Sequence, residues 1–140
     1  GCGTGLSGLA LKLAGFETID GLDLSAEMLD LARSKDVYRH LDQIEAGADL
    51  PKKDYMLCAA IGVIGAGAAP ISVLHTLMRA LPRDGRLVLS FNDHALEDPA
   101  NEAGIAEWTD PGAARLLFKE HGPHLPGIGL KSNVYVLEKA

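Results

Sequence analysis

The 140 residues carry a formal net charge of −6, with 47% apolar and 23% charged side chains and a sequence pI near 5.2. This is the composition of one ordinary globular domain, expected to span residues 1–140 and long enough to bury about two thirds of its unfolded surface. The acidic balance, with Lys and Arg scattered, argues against a face built for nucleic acid or an anionic membrane surface.

Cys2 and Cys58 fit two free thiols in a reducing compartment better than a disulfide framework, so a cytoplasmic location is the default expectation. No Cys or His spacing suits a metal site. The longest apolar stretch, Met56 to Ile71, is broken by Gly62, Gly65, Gly67 and Pro70 and is too short to cross a bilayer.

In chain order, Gly1-Cys2-Gly3-Thr4-Gly5-Leu6-Ser7-Gly8 is a glycine-dense loop, where the backbone can turn tightly and approach a ligand. Leu6–Ala14 reads as a helix closed by Gly15, its first N–H groups directed at whatever sits on the loop. Thr18–Asp23 reads as a short strand ending in an acid. Ser25 is a good N-cap for a helix over Ala26–Lys35, in which Met28, Leu29, Leu31 and Ala32 fall at helical spacing.

Asp42–Ala46 is a weak strand, with Asp49 just beyond it. Tyr55–Ile61 is apolar on both sides, as a strand covered on two faces should be. Pro70 suits an early position of a helix running to about Leu81, and Leu81–Gly85 is a turn by composition. Arg86–Phe91 reads as a strand, Asp93–Thr109 is poorly patterned, Pro111–His121 reads as a helix, and the chain closes on a strand around Asn133–Glu138. Short apolar runs alternating with helices favour an α/β fold with a largely parallel sheet.

The glycine loop alone is ambiguous. Gly3-Thr4-Gly5-Leu6-Ser7-Gly8 matches the dinucleotide fingerprint G-x-G-x-x-G, and Asp23 falls 20 residues after Gly3, where a ribose-binding acid is expected. These features leave NAD and S-adenosylmethionine equally open, and glycine-rich turns can also serve only to pack a helix on a strand.

The downstream motifs break the tie. Gly1–Gly5 with Gly21-Leu22-Asp23-Leu24-Ser25-Ala26-Glu27-Met28-Leu29 resembles the first two motifs of class I S-adenosylmethionine-dependent methyltransferases. Ala48-Asp49-Leu50-Pro51, Tyr55–Ile64 and Leu81–Ser90 resemble the next ones, in family order and at family spacing. The resemblance covers residues 1 to about 92, and the tail Gly127–Val136 is similar to the Williams–Beuren region methyltransferase-like group.

The resemblance implies a doubly wound, Rossmann-like, seven-stranded sheet with an antiparallel last strand. In that fold the glycine loop follows the central first strand. This sequence opens on the loop, so the native polypeptide is expected to continue upstream by an apolar strand that completes the sheet.

It also implies S-adenosyl-L-methionine as cofactor, and roles for particular residues. The backbone of Gly1, Cys2, Gly3 and Gly5 would face the methionine half of the cofactor, and the two oxygens of Asp23 would accept from the ribose hydroxyls. Leu24 and Met28 would flank the adenine, Met28 being otherwise a core residue. Asp49 would accept from the adenine amino group and the Leu50 N–H would donate to the ring. The backbone near Ala60 and Ile61 would receive the charged amino group.

The acceptor side is less constrained. Methyl transfer is accelerated mainly by holding the acceptor close and aligned, and a base is needed only for an acceptor that loses a proton. Where many relatives carry acids or histidines after the fourth strand, this chain has Gly65-Ala66-Gly67-Ala68-Ala69. No Asn-Pro-Pro-aromatic pattern points to a nucleic-acid base. Asn92, Asp93 and His94 at the end of a strand, and His121 and His124 beyond, are weak candidates, with His94 read more readily as a surface residue. His75 reads as a packing or surface residue, and Trp108 more readily as a loop anchor than as a wall of an acceptor pocket. The expected reaction is methylation of a small molecule or a protein side chain. An NAD-dependent oxidoreductase and a non-catalytic cofactor-fold scaffold are the rivals.

Overall fold

A computed structural model describes residues 1–50 and 54–140. Its contacts cluster into two compact units, Gly1–Ala48 and Asp49–Ala140.

The first unit begins with the loop and helix α1 (Leu6–Leu13), followed by strand β1 (Asp20–Asp23), helix α2 (Ala26–Ser34) and strand β2 (His40–Gln43). Helix α1 is entered through Gly5 at φ 96° and left through Gly15 at φ 106°, backbone values that only glycine adopts without strain. At the exit, Gly15 N–H donates to Lys12 and Phe16 N–H to Leu11, which satisfies the last carbonyls. Ser25 caps α2 by accepting the Met28 N–H at 3.2 Å, and Leu29 and Ala32 face inward.

Strands β1 and β2 are parallel, Asp20 opposite His40 and Asp23 opposite Gln43. The second strand thus starts two residues earlier than the expected Asp42–Ala46. Its polar side chains leave little periodic signal, and its place is set by pairing. Two small residues make room for Tyr38: a Cβ on Gly8 would lie 2.1 Å from the phenolic oxygen, and one on Gly21 would lie 2.9 Å from both Tyr38 Cε1 and Cys2 Sγ.

The second unit holds strand β3 (Leu57–Ala60), helix α3 (Ser72–Ala80), strand β4 (Arg86–Asn92), helices α4 (Asp93–Leu96) and α5 (Pro99–Thr109), strand β5 (Ala114–Leu125), a 3-10 turn (Pro126–Ile128) and strand β6 (Leu130–Lys139). The sheet order is β3-β4-β6-β5. β3 is parallel to β4, while β6 runs antiparallel to β4 and to β5. The last strand is therefore antiparallel, as expected. Among the described residues there are six strands, in sheets of two and four.

The core of this unit is built by Leu87, Leu89 and Phe91 of β4 and Tyr135 and Leu137 of β6, packed with Leu74 and Met78 of α3 and Ile105 of α5. Burying a Leu-sized side chain contributes about 1.5–3 kcal/mol each. At the turn before β4, Asp84 sits at φ 63° and its N–H donates to Lys139, tying the turn to the end of β6.

Two expectations fail here. Pro111–His121 is not a helix: from Ala114 onward it is the edge strand β5, paired with β6 from Ala114↔Lys139 to Leu125↔Leu130. Its Ala, Leu, Lys and Glu favour a helix locally, but an antiparallel partner of matching length overrides that preference. Pro123 is tolerated because the strand is at the edge. The poorly patterned Asp93–Thr109 is two helices, each begun by a side-chain cap, Asn92 to the Ala95 N–H and Asp98 to the Ala100 N–H. Pro99 in the first turn of α5 is a start signal that periodicity alone overlooks. Among the described residues no helix is long and apolar enough to cross a membrane.

Candidate functional site

In the first unit the structure gathers Gly1, Cys2, Gly3, Gly5 and Asp23. The Gly1 ammonium and the Cys2 N–H donate to the Leu22 carbonyl at 2.6 and 2.8 Å, and Gly5 N–H closes the loop on the Cys2 carbonyl at 3.0 Å. Asp23 stands at the centre. Its Oδ2 accepts the Gly3 N–H at 2.8 Å and its Oδ1 the Ser25 N–H at 2.9 Å. An ionised carboxylate has about four acceptor positions, so two are left for a ligand. Lys35, missed in the sequence, donates to the Thr4 carbonyl at 2.5 Å and holds the far side of the loop.

Gly3 lies at φ 57° with open space where a Cβ would project. The loop there is bare backbone facing outward, whereas a Cβ on Gly5 would press on Ala32 at 3.1 Å. Leu24 and Met28 follow Asp23 in sequence and are 52% and 45% exposed, so Met28 is not the core residue it could have been. Burial pushes the Cys2 thiol above its ordinary value, which disfavours the reactive thiolate.

The remaining cofactor candidates belong to the second unit. Asp49 is exposed and Leu50 half-buried; Pro51, the last residue of that motif, lies outside the described residues. Ala60 is buried at the end of β3 and Ile61 is 37% exposed just past it. The strand end is held by Gly62, whose N–H donates to the buried Ser90 hydroxyl on β4 at 2.9 Å.

At the end of β4, the Asn92 side chain is occupied as the cap of α4, its Oδ1 accepting the Ala95 N–H at 2.8 Å. His94 is a surface residue, its side chain 70% exposed and 4.0 Å from Glu97. Trp108 donates from Nε1 to His75 Nδ1 at 2.9 Å with the rings stacked, which makes both of them the pin between α5 and α3.

Sequence reasoning named Asp93 and His121 as candidates but missed the chain of polar contacts that joins them across β5, β6, α4 and α5. Lys119 donates to Glu102 Oε1 at 2.8 Å, and the Tyr135 hydroxyl donates to the same oxygen at 2.5 Å. Asn133 Nδ2 donates to the Tyr135 oxygen at 3.0 Å, while its Oδ1 is 2.6 Å from His121 Nδ1. The other ring nitrogen, Nε2, is 3.8 Å from Asp93 Oδ1, and Asp93 Oδ2 accepts the Lys131 N–H at 3.1 Å. The Lys119 contact and the Tyr135 hydroxyl hold the Glu102 carboxyl below the usual glutamate range. Burial and the neighbouring Glu102 push the Tyr135 hydroxyl well above its ordinary value. These residues come from four elements and share no sequence spacing.

A family model described as a methyltransferase domain matches residues 1–89. The chain belongs to the methyltransferase domain family. S-adenosyl-L-methionine is the cofactor that this membership carries. Solved structures are similar over almost the whole chain. An S-adenosylmethionine-dependent methyltransferase from Methanosarcina mazei is 14% identical, with 99% of this chain and 89% of that chain covered and a TM-score of 0.73. One from Mesorhizobium loti is 14% identical, with 99% and 88% covered and a TM-score of 0.71. The StiE O-MT is 15% identical at a TM-score of 0.70; 99% of this chain is covered, but it spans only 65% of that chain. At these identities the likeness shows the fold. No curated protein matches.

Proposed function

We propose that the protein transfers a methyl group from S-adenosyl-L-methionine to a small-molecule or protein acceptor. The observation that carries this reading is the Gly3–Asp23 arrangement. A carboxylate held by two backbone N–H groups keeps acceptor positions for a diol, and the bare backbone at Gly3 leaves room for the rest of the ligand. Gly1, Cys2 and Gly5 would complete that wall, with Leu24 and Met28 as an apolar flank for a flat ring. On the family's pattern, Asp49 and Leu50 would serve the adenine edge and the backbone at Ala60 and Ile61 the amino group.

S-adenosylmethionine supplies an already activated sulfonium methyl, so the residues of this chain need mainly to bind, orient and exclude water. Asn92 and His94 are not assigned to the acceptor, since one is a helix cap and the other lies on the surface.

The test is incubation of the protein with methyl-labelled S-adenosylmethionine and a broad metabolite and protein extract. Label appearing in one acceptor, and lost with Asp23→Ala, supports the reading. Cofactor binding with no transfer to any acceptor would instead favour a scaffold that keeps only the fold.

A further inference from the structure

The turn of the glycine loop is held from two directions. Gly5 N–H donates to the Cys2 carbonyl at 3.0 Å, so Cys2, Gly3, Thr4 and Gly5 form one hydrogen-bonded turn. Asp23 holds one of its peptides, through the Gly3 N–H at 2.8 Å. Lys35 holds another. Its Nζ donates to the Thr4 carbonyl at 2.5 Å, a short, charge-assisted contact between residues 31 apart in the chain. With the Gly5 N–H and the Thr4 oxygen both engaged, the Thr4–Gly5 peptide is fixed at its two ends. The Thr4 N–H meets no acceptor among the described residues, and beside it Gly3 opens onto empty space.

Lys35 reaches the turn because α2 packs directly against it. A Cβ on Gly5 would lie 3.1 Å from the Ala32 Cα and 3.2 Å from the Lys35 Cδ, and Ala32 is fully buried. The methylene stem of Lys35 therefore lies along Gly5 while its ammonium reaches Thr4. The helix stops just beyond, where Asp36 adopts φ 54°. Immobilising a lysine costs rotamer freedom, and one that served only to pack α2 could leave its head in water. Arg33, on the same helix, spends its charge on a surface pair with Asp30, whereas the Lys35 charge is spent on the loop.

Resting on the proposed binding of S-adenosylmethionine, we propose that Lys35 is a positioning residue for the amino-acid half of the cofactor. It turns the Thr4 carbonyl back toward α2, so the turn offers an N–H donor and open backbone where that half would lie. A carbonyl swung to the other side would oppose the cofactor's carboxylate and fill the space at Gly3. The ammonium acts before the ligand arrives, by keeping one loop shape populated. Asp23 serves the ribose and Lys35 the other half, so the two contributions are separable by ligand.

Two probe ligands test this. Lys35→Met keeps the stem and removes the donor. Its affinity for S-adenosylhomocysteine should fall by about 10-fold or more. Its affinity for 5′-methylthioadenosine, which has the same nucleoside and lacks the amino-acid half, should stay within about twofold. Lys35→Arg keeps a charged donor and should recover most of the loss. In the unaltered protein without ligand the Gly5 amide should exchange its hydrogen slowly, and about 10-fold or more faster in Lys35→Met. Equal loss for both ligands, no loss, or an arginine variant as weak as the methionine one would each overturn the proposal. So would unaltered protein that binds S-adenosylhomocysteine but no 5′-methylthioadenosine, or whose Gly5 amide exchanges at the rate of an unstructured chain. Unaltered protein that binds neither ligand is a separate result, and counts against the methyltransferase reading itself.

Discussion

The Asp23 carboxylate accepts the backbone N–H of Gly3 at 2.8 Å, joining the end of β1 to the apex of the glycine loop. One side chain therefore sets the shape of the loop and presents acceptor oxygens beside it. Hydrogen bonds to a charged partner contribute about 1.5–3 kcal/mol each. Asp23→Ala removes two of them and the ligand contact, so affinity for S-adenosylhomocysteine should fall by about 10²-fold or more. Asp23→Asn should be nearly as harmful, because its NH2 group would confront the Gly3 or the Ser25 N–H. Calorimetric titration of both variants checks this.

The slot beneath the loop gives a second prediction. Gly8→Ala places a Cβ within 2.1–2.8 Å of three atoms of the Tyr38 side chain, so the phenol must shift to make room. Overpacking of this kind costs about 1–3 kcal/mol. Tyr38→Val in the same protein removes the clashing atoms and should restore part of the loss. Denaturant midpoints of the single and double variants measure the coupling.

How much of this could be read from the sequence depended on where each signal resided. The loop, Asp23 and the Ser25 cap are local: residue types at fixed spacing, with one geometry that suits them. β3 and β4 were legible from their apolar runs, but β3 is not covered on both faces as expected: only Ala60 is buried and Ala59 is exposed. β5 was not, since a strand of Arg, Leu, Lys and Glu at a sheet edge is held by its pairing with β6 and not by its own preferences. The Asp93–His121–Asn133–Tyr135–Glu102 chain was hidden for the same reason. His121 and Asn133 become neighbours only through the β5–β6 register.

That register also produces a row across three strands, Arg86 of β4, Glu138 of β6 and Arg115 of β5. Arg86 Nε donates to Glu138 Oε2 at 3.0 Å and Arg115 to Oε1. The two guanidinium hydrogen bonds hold the Glu138 carboxyl below its ordinary value of 4.5. The unfolded chain takes up this proton first, so the stabilisation is complete above that ordinary value and is lost as pH falls through the folded-state value. Thermal midpoints measured from neutral to acid pH should therefore drop. In Glu138→Gln the midpoint should be lower at neutral pH and the acid-induced drop smaller.

Trp108 offers a control within the second unit. Trp108→Phe removes the hydrogen bond to His75 and leaves an aromatic ring to stack, so it should cost about 1 kcal/mol of stability. Binding of S-adenosylhomocysteine should be unchanged, which paired chemical denaturation and calorimetry would show.

The central claim is that the loop and Asp23 hold S-adenosylmethionine and not a nicotinamide dinucleotide. Isothermal titration of the protein with S-adenosylhomocysteine and, separately, with NADH tests it most directly. One-to-one binding of S-adenosylhomocysteine, abolished or weakened about 10²-fold by Asp23→Ala, with no heat from NADH, is the predicted result. Saturable binding of NADH with no binding of S-adenosylhomocysteine would contradict it.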